Sequence, residues 1–147
     1  MAVILNPYLS FKNNAREAIT FYHSVFGGEL TVNTFADFGA SQGPEDADLV
    51  MHAMLKTPNG LTLMASDTPA YMEYNEGNNI SISLSGDDEE TLRGYYNSLV
   101  AGGQTVEPLT QAPWGDTFGM LVDAFGINWL FNIATQSGDQ GDSAPAA

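Results

Sequence analysis

His52 is the side chain best suited to proton chemistry in this sequence. It stands in the run Leu49-Val50-Met51-His52-Ala53-Met54-Leu55-Lys56, in phase with Val50 and Met54 at the period-two spacing of a strand. An imidazole placed there can serve as an acid, a base or a hydrogen-bond donor inside a cavity, or it can be satisfied by a neighbouring backbone group or hydroxyl. The other histidine, His23, sits between Tyr22 and Ser24 in a helical segment and is expected on the helix surface. Asp67 follows Ser66 at the end of a strand-like run; it either orients a ligand at a cavity mouth or caps the turn before Thr68-Pro69. Tyr8, Met54, Met64, Trp114, Phe118 and Met120 supply an aromatic and thioether lining that suits a flat or aromatic small molecule, against the plainer role of core packing. The loop Ala70-Tyr71-Met72-Glu73-Tyr74-Asn75 reads as a lid or as a linker. Asp87-Asp88-Glu89-Glu90 lacks the spaced acids and glycine of a calcium loop and reads as a helix cap.

These residues need elements to position them, and hydrophobic periodicity supplies the elements. Residues 2–11 suit a strand. The segment AREAITFYHSVF then places Ala15, Ala18, Ile19, Tyr22, Val25 and Phe26 at helical spacing, with Asn14 as N-cap and Gly27-Gly28 as the stop. Strand-like stretches follow at 29–36, 48–56 and 60–66, the last two joined by the Pro58-Asn59-Gly60 turn. The same order recurs: a strand at 79–85, a helix from Glu89 ended by Gly102-Gly103, and strands at 104–109, 117–123 and 127–134. Phe21–Phe26 maps onto Tyr95–Val100 at an offset of 74, Phe11 onto Leu84 at 73, and Gly60 onto Gly126 at 66. The expected fold is α+β: two βαβββ modules in tandem, each a curved, mixed four-stranded sheet with one helix. They form one domain over 1–134, with module 1 at about 1–67 and module 2 at about 79–134, followed by a disordered tail at 135–147. One face of each sheet is left free to curve round a pocket.

Composition narrows the function. The 147 residues carry 18 acidic side chains against four basic ones, a net charge of −14, while charged residues total only 15%, below the usual ~25%. Such a chain repels phosphate backbones and anionic lipid, so neither nucleic acid nor membrane is an expected partner. No cysteine is present, which removes thiol nucleophiles and Cys-ligated metals. With no long apolar run and no signal-peptide pattern, the expected location is cytoplasmic.

The duplicated plan resembles the vicinal oxygen chelate superfamily of glyoxalases, extradiol dioxygenases and bleomycin-resistance proteins, and within it the PhnB-like branch. The resemblance rests on Pro7-Tyr8-Leu9-Ser10-Phe11, Asn14-Ala15-Arg16-Glu17-Ala18-Ile19 leading into Phe21-Tyr22, Met51-His52-Ala53, Ser66-Asp67, Trp114-Gly115-Asp116 and Asp123-Ala124-Phe125-Gly126-Ile127-Asn128-Trp129. It covers about residues 3–134 and implies a homodimer. Methyltransferase labels borne by some of that branch find no support, since no Gly-rich loop follows the first strand.

Metal-dependent members hold a divalent ion with four side chains from the first and last strands of each module, usually His or Gln on the first and Glu on the last. The resemblance places these positions at Asn6, Met64, Asn79 and Leu130. In the first strand, Leu5, Pro7, Leu9 and Phe11 form the apolar face and leave Asn6, Tyr8 and Ser10 toward the cavity. In the fifth, Ile80, Ile82 and Leu84 pack inward and leave Asn79, Ser81 and Ser83. Carboxamide, thioether and hydrocarbon groups are poor ligands for such a cation, so no metal and no cofactor is expected. The resulting expectation is a metal-free protein binding a small-molecule ligand in the cavity of its paired modules. Its contacts are Asn6, Tyr8, His52, Met54, Met64, Asp67, Asn79, Trp114 and Phe118, with His52 the single candidate for catalysis. The alternative is a lyase, isomerase or dioxygenase-type enzyme acting on a small oxygenated metabolite through His52 or an atypical metal site.

Overall fold

Apolar residues at helical and period-two spacing fold as that spacing dictates. The computed structural model describes residues 2–135; the tail expectation falls almost wholly outside them. Over that span the order is β1 (Tyr8–Phe11), α1 (Ala15–Phe26), β2 (Glu29–Thr34), β3 (Val50–Lys56), β4 (Thr62–Asp67), β5 (Ser81–Gly86), α2 (Glu89–Val100), β6 (Gln104–Gln111), β7 (Thr117–Val122) and β8 (Asn128–Ile133). Two four-stranded sheets result, ordered β1-β4-β3-β2 and β5-β8-β7-β6. In each, the first strand runs parallel to the last while the remaining pairs are antiparallel. This is the expected α+β architecture of tandem βαβββ modules. The chain divides into two compact units, Met1–Glu76 and Gly77–Ala147. No helix among the described residues is long and apolar enough to cross a membrane.

In the first unit, α1 buries Ala15, Ala18, Ile19, Tyr22 and Phe26. Against it the sheet presents Leu9, Phe11, Ala53, Leu55, Leu63 and Ala65, all buried. In the second, α2 buries Leu92, Tyr96 and Leu99, and the buried apolar residues of the sheet include Leu121, Trp129, Phe131 and Ile133. The Tyr96 hydroxyl donates toward the carbonyls of Glu107 (2.9 Å) and Met120 (3.1 Å). Burial raises its pKa above the ordinary 10.0; a Thr105 hydrogen bond opposes this and the Glu107 carboxylate adds to it. The unfolded chain therefore ionises first. The contribution is complete below about pH 10 and is lost as pH climbs through the folded value. Unfolding measured across pH 9–11 is expected to show stability falling more steeply in the native chain than in Tyr96→Phe, which itself costs about 1 kcal/mol.

Several boundaries differ from expectation. β1 begins at Tyr8, not at residue 2, because Pro7 has no N–H to extend the ladder; its carbonyl accepts from Met64 N at 3.1 Å and pairing starts there. Leu5, expected on the helix face, is 97% exposed. Ile80, likewise expected inward, is 78% exposed, since β8 starts only at Asn128, opposite Ser81. A bulge separates the Asn33–His52 and Thr34–Val50 pairs and turns Val50 to the helix side. Val50 is fully buried and His52 is not, so the two do not share a face.

The repeat also needs one adjustment. Helices lie 74 residues apart and last strands 66 apart at both ends. Tyr8 pairs with Met64, however, and Ser83 pairs with Leu130. Tyr8 therefore matches Ser83, an offset of 75, and the second strand–helix turn is one residue shorter than the first, where one residue longer was expected.

Candidate functional site

Each sheet turns one face away from its own helix, and the period-two rule decides what that face carries. On the first sheet, Tyr8 lies opposite Met64, Met64 opposite Met54, and Met54 opposite Thr31. The neighbouring row holds Ser10 opposite Ser66, and His52 opposite Asn33. These two rows contain no carboxylate, lysine or arginine. The phenol of Tyr8, on the edge strand, reaches across β4 to His52 on β3, where Tyr8 Oη lies 3.0 Å from His52 Nδ1. The two ring centroids are 5.6 Å apart at 40°. In the tautomer with the ring proton on Nε2, the phenol donates and Nδ1 accepts; in the other, Nδ1 donates to the phenol oxygen. Tyr8 is 46% exposed. The sheet thus holds the pair in place with its phenol partly exposed.

On the second sheet the corresponding face carries Ser83 opposite Leu130, Leu130 opposite Met120, Ser85 opposite Asn132, and Asn132 opposite Phe118. Trp114, in the turn between β6 and β7, meets Phe118 edge to face, with centroids 5.7 Å apart at 72°. Its indole N–H donates to Asn132 Oδ1 at 3.3 Å. Asn132 Nδ2 donates in turn to Asp116 Oδ2 at 2.9 Å.

The expected contacts therefore fall into separate groups. Tyr8, His52, Met54 and Met64 share the open face of the first sheet, while Trp114 and Phe118 form a pair on the second unit. Asn6 precedes β1 and Asn79 lies in an exposed bend before β5. Asp67, expected either at a cavity mouth or as the cap of the turn before Thr68-Pro69, is instead buried on the helix side. Along β4 it is in phase with Leu63 and Ala65, and out of phase with Met64. Its Oδ1 accepts from Ala15 N and its Oδ2 from Val50 N, both at 2.9 Å. It thereby caps α1, a task expected of Asn14, whose side chain makes no capping bond. His23, at the end of α1, bonds Gly28 O at 3.0 Å. Asp116 and Asn132 were not among the expected contacts. The only hint of them was the Trp114-Gly115-Asp116 motif and the phase of Asn132 with Leu130.

The divalent cation implied by the resemblance does not fit this donor set. The first-strand residues lying beside Met64 and Leu130 are Tyr8 and Ser83, so the strand-paired positions offer a phenol, a thioether, a hydroxyl and a hydrocarbon. Among the described residues no three His, Cys, Asp or Glu side chains converge as a metal site would need.

Comparison with known proteins agrees with the fold. Protein PA1353 from Pseudomonas aeruginosa is 37% identical, with 90% of this chain and 98% of that chain covered and a TM-score of 0.75. Protein YjdN of Escherichia coli strain K12 is 26% identical over 92% of this chain and 99% of its own length. The PhnB protein from Bacillus cereus shares the fold at 24% identity and a TM-score of 0.71, covering 90% of this chain and all of that one. Residues 4–131 match the family as a whole. With its paired βαβββ modules, the chain belongs to the Glyoxalase/Bleomycin resistance protein/Dioxygenase superfamily.

Proposed function

We propose that this chain is a metal-independent small-molecule-binding protein of the bleomycin-resistance type, acting as a cytoplasmic homodimer on a flat or aromatic ligand. The observation that carries the reading is the Tyr8–His52 hydrogen bond on an uncharged, partly open sheet face flanked by Met54 and Met64. Thioethers and aromatic rings supply adaptable apolar contact, and the polar pair supplies orientation. Trp114 and Phe118 offer a second aromatic surface, and Asn6 and Asn79, each just ahead of a first strand, complete the proposed contacts. Asp67 is left out, because both its oxygens are engaged on the helix side.

One observation favours a second reading. A phenol hydrogen-bonded to an imidazole is also an acid–base pair, so a ligand with an acidic C–H or a leaving oxygen could be isomerised or cleaved with His52 as proton acceptor.

A melting-shift screen of fused-ring aromatics against chelator-treated protein tests both readings. Binding compounds are expected to raise Tm, and His52→Ala or Tyr8→Phe is expected to weaken them about tenfold. Without ligand these variants should melt within a few degrees of the native chain. Consumption of a compound by the native chain, abolished in His52→Ala, would install the enzymatic reading. A screen with no shift at any concentration would refute the binding role.

A further inference from the structure

We propose that Asn132 is the specificity-determining acceptor of a ligand subsite on the second sheet, that Asp116 is its positioning residue, and that Trp114 occupies the subsite until a flat ligand bearing an N–H or O–H donor displaces it. This rests on the reading above that the open sheet faces take small molecules.

A carboxamide can sit either way round, with its oxygen and nitrogen exchanged. Here the two neighbours of Asn132 leave one choice. The Asp116 carboxylate can only accept and takes Nδ2 at 2.9 Å. The Trp114 indole can only donate and reaches Oδ1 at 3.3 Å. Asp116 is itself fixed, because its other oxygen accepts from Thr135 N at 3.2 Å and its side chain is almost wholly buried. Asn132 is 8% exposed, so a reversed amide would set its N–H against the indole N–H in a poorly hydrated site. The carboxylate therefore holds the carbonyl oxygen toward the side that Trp114 covers.

Trp114 is the weak link of the chain. It is 40% exposed, whereas the other tryptophan, Trp129, is buried and bonds Asp123 at 2.9 Å. At 3.3 Å its bond to Asn132 is longer than a well-made N–H···O contact. Its ring meets Phe118 only edge to face, which leaves aromatic surface for a second flat ring. A ligand ring with one donor can make the hydrogen bond that the indole now makes. A ring with only acceptors would face the fixed carbonyl oxygen and be rejected. The subsite thus selects neutral or cationic donors such as indoles, lactams and aryl amines, by the chemistry of a single locked acceptor.

Indole and benzofuran separate this idea from mere aromatic affinity, since they share size and shape and differ in the N–H. Each is titrated into 15N-labelled full-length protein, following the two tryptophan indole signals as assigned with Trp114→Phe. Indole is expected to shift the Trp114 signal and to bind about tenfold more tightly than benzofuran. Asp116→Asn, which frees the amide to turn, should bring that ratio close to one. The Asn132 side-chain NH2 pair gives a second readout that needs no variant: the N–H that meets the Asp116 carboxylate should lie downfield of the usual Asn range, and an ordinary pair would remove the positioning role. Equal binding of the two probes would overturn the inference and leave small-molecule binding standing. A Trp114 signal unmoved by either probe at millimolar concentration would also overturn it, and the Tyr8–His52 variants then decide the broader reading alone. Full discrimination retained by Asp116→Asn would remove the positioning role.

Discussion

Asp123→Ala is expected to lower unfolding free energy by about 3–5 kcal/mol, read as a drop in denaturant midpoint at unchanged slope. The buried carboxylate accepts from Phe125 N at 2.8 Å and Ile127 N at 3.1 Å through one oxygen, and from Trp129 Nε1 at 2.9 Å through the other. Truncation removes charge-assisted bonds and strands an indole N–H inside the core. The first module makes the same turn, with Thr57 in the equivalent place: Thr57 N donates to Leu61 O and Gly60 N to Thr57 O, as Asp123 N donates to Ile127 O and Gly126 N to Asp123 O. Thr57 holds no buried indole, and its hydroxyl accepts from Leu61 N at 2.9 Å. Thr57→Ala should therefore cost only about 1 kcal/mol. The difference between the two substitutions is the measure of what Trp129 adds.

Gly28→Ala is expected to cost about 3–5 kcal/mol, while Gly27→Ala one residue earlier costs about 1 kcal/mol. Both glycines have positive φ, 72° and 94°. The difference is space: a Cβ on Gly27 meets nothing within 4 Å, whereas one on Gly28 would lie 2.2 Å from the Lys56 carbonyl oxygen and 2.8 Å from Thr57 Cα. Backbone on both sides leaves no flexible neighbour to yield, so the start of β2 would have to leave the end of β3. Gly103 repeats the device, with its Cβ 2.2 Å from the Val122 carbonyl oxygen, and Gly103→Ala should be comparably damaging. Thermal melts of the three variants check the ranking.

Much of the fold was legible because spacing carries it. The stripes of α1 and α2 and the alternation in β1 and β4 follow from the 3.6 and 2.0 periods of helix and strand. Paired glycines after each helix were readable as stops, although their harder task, letting a carbonyl of the next hairpin approach, was not. What escaped depends on partners in space. The start of β1 depends on where β4 can still pair past Pro7, the side taken by Val50 depends on a bulge, and the offset of Ser83 from Tyr8 depends on a register no local pattern prints. The site shows the same division. Tyr8, Met54 and Met64 were assignable to one face by phase, but Asp67 shares a strand with Met64 at an odd spacing and so faces the helix. The Tyr8–His52 bond spans 44 residues in sequence and the Asp116–Asn132 bond 16. Neither distance has a sequence signature.

The resemblance implies a cation held between the first and last strands of each module, where the strand-paired residues here are Tyr8 with Met64 and Ser83 with Leu130, a set without carboxylate or imidazole. The most direct test is metal content and ligand affinity in one preparation. Protein purified without a polyhistidine tag is assayed for bound metal, and an aromatic ligand from the melting-shift screen is titrated by calorimetry with and without excess chelator. The expected result is far less than one metal per chain and an affinity that the chelator leaves unchanged. One tightly held metal per chain, with ligand binding lost on its removal, would contradict metal-independent binding.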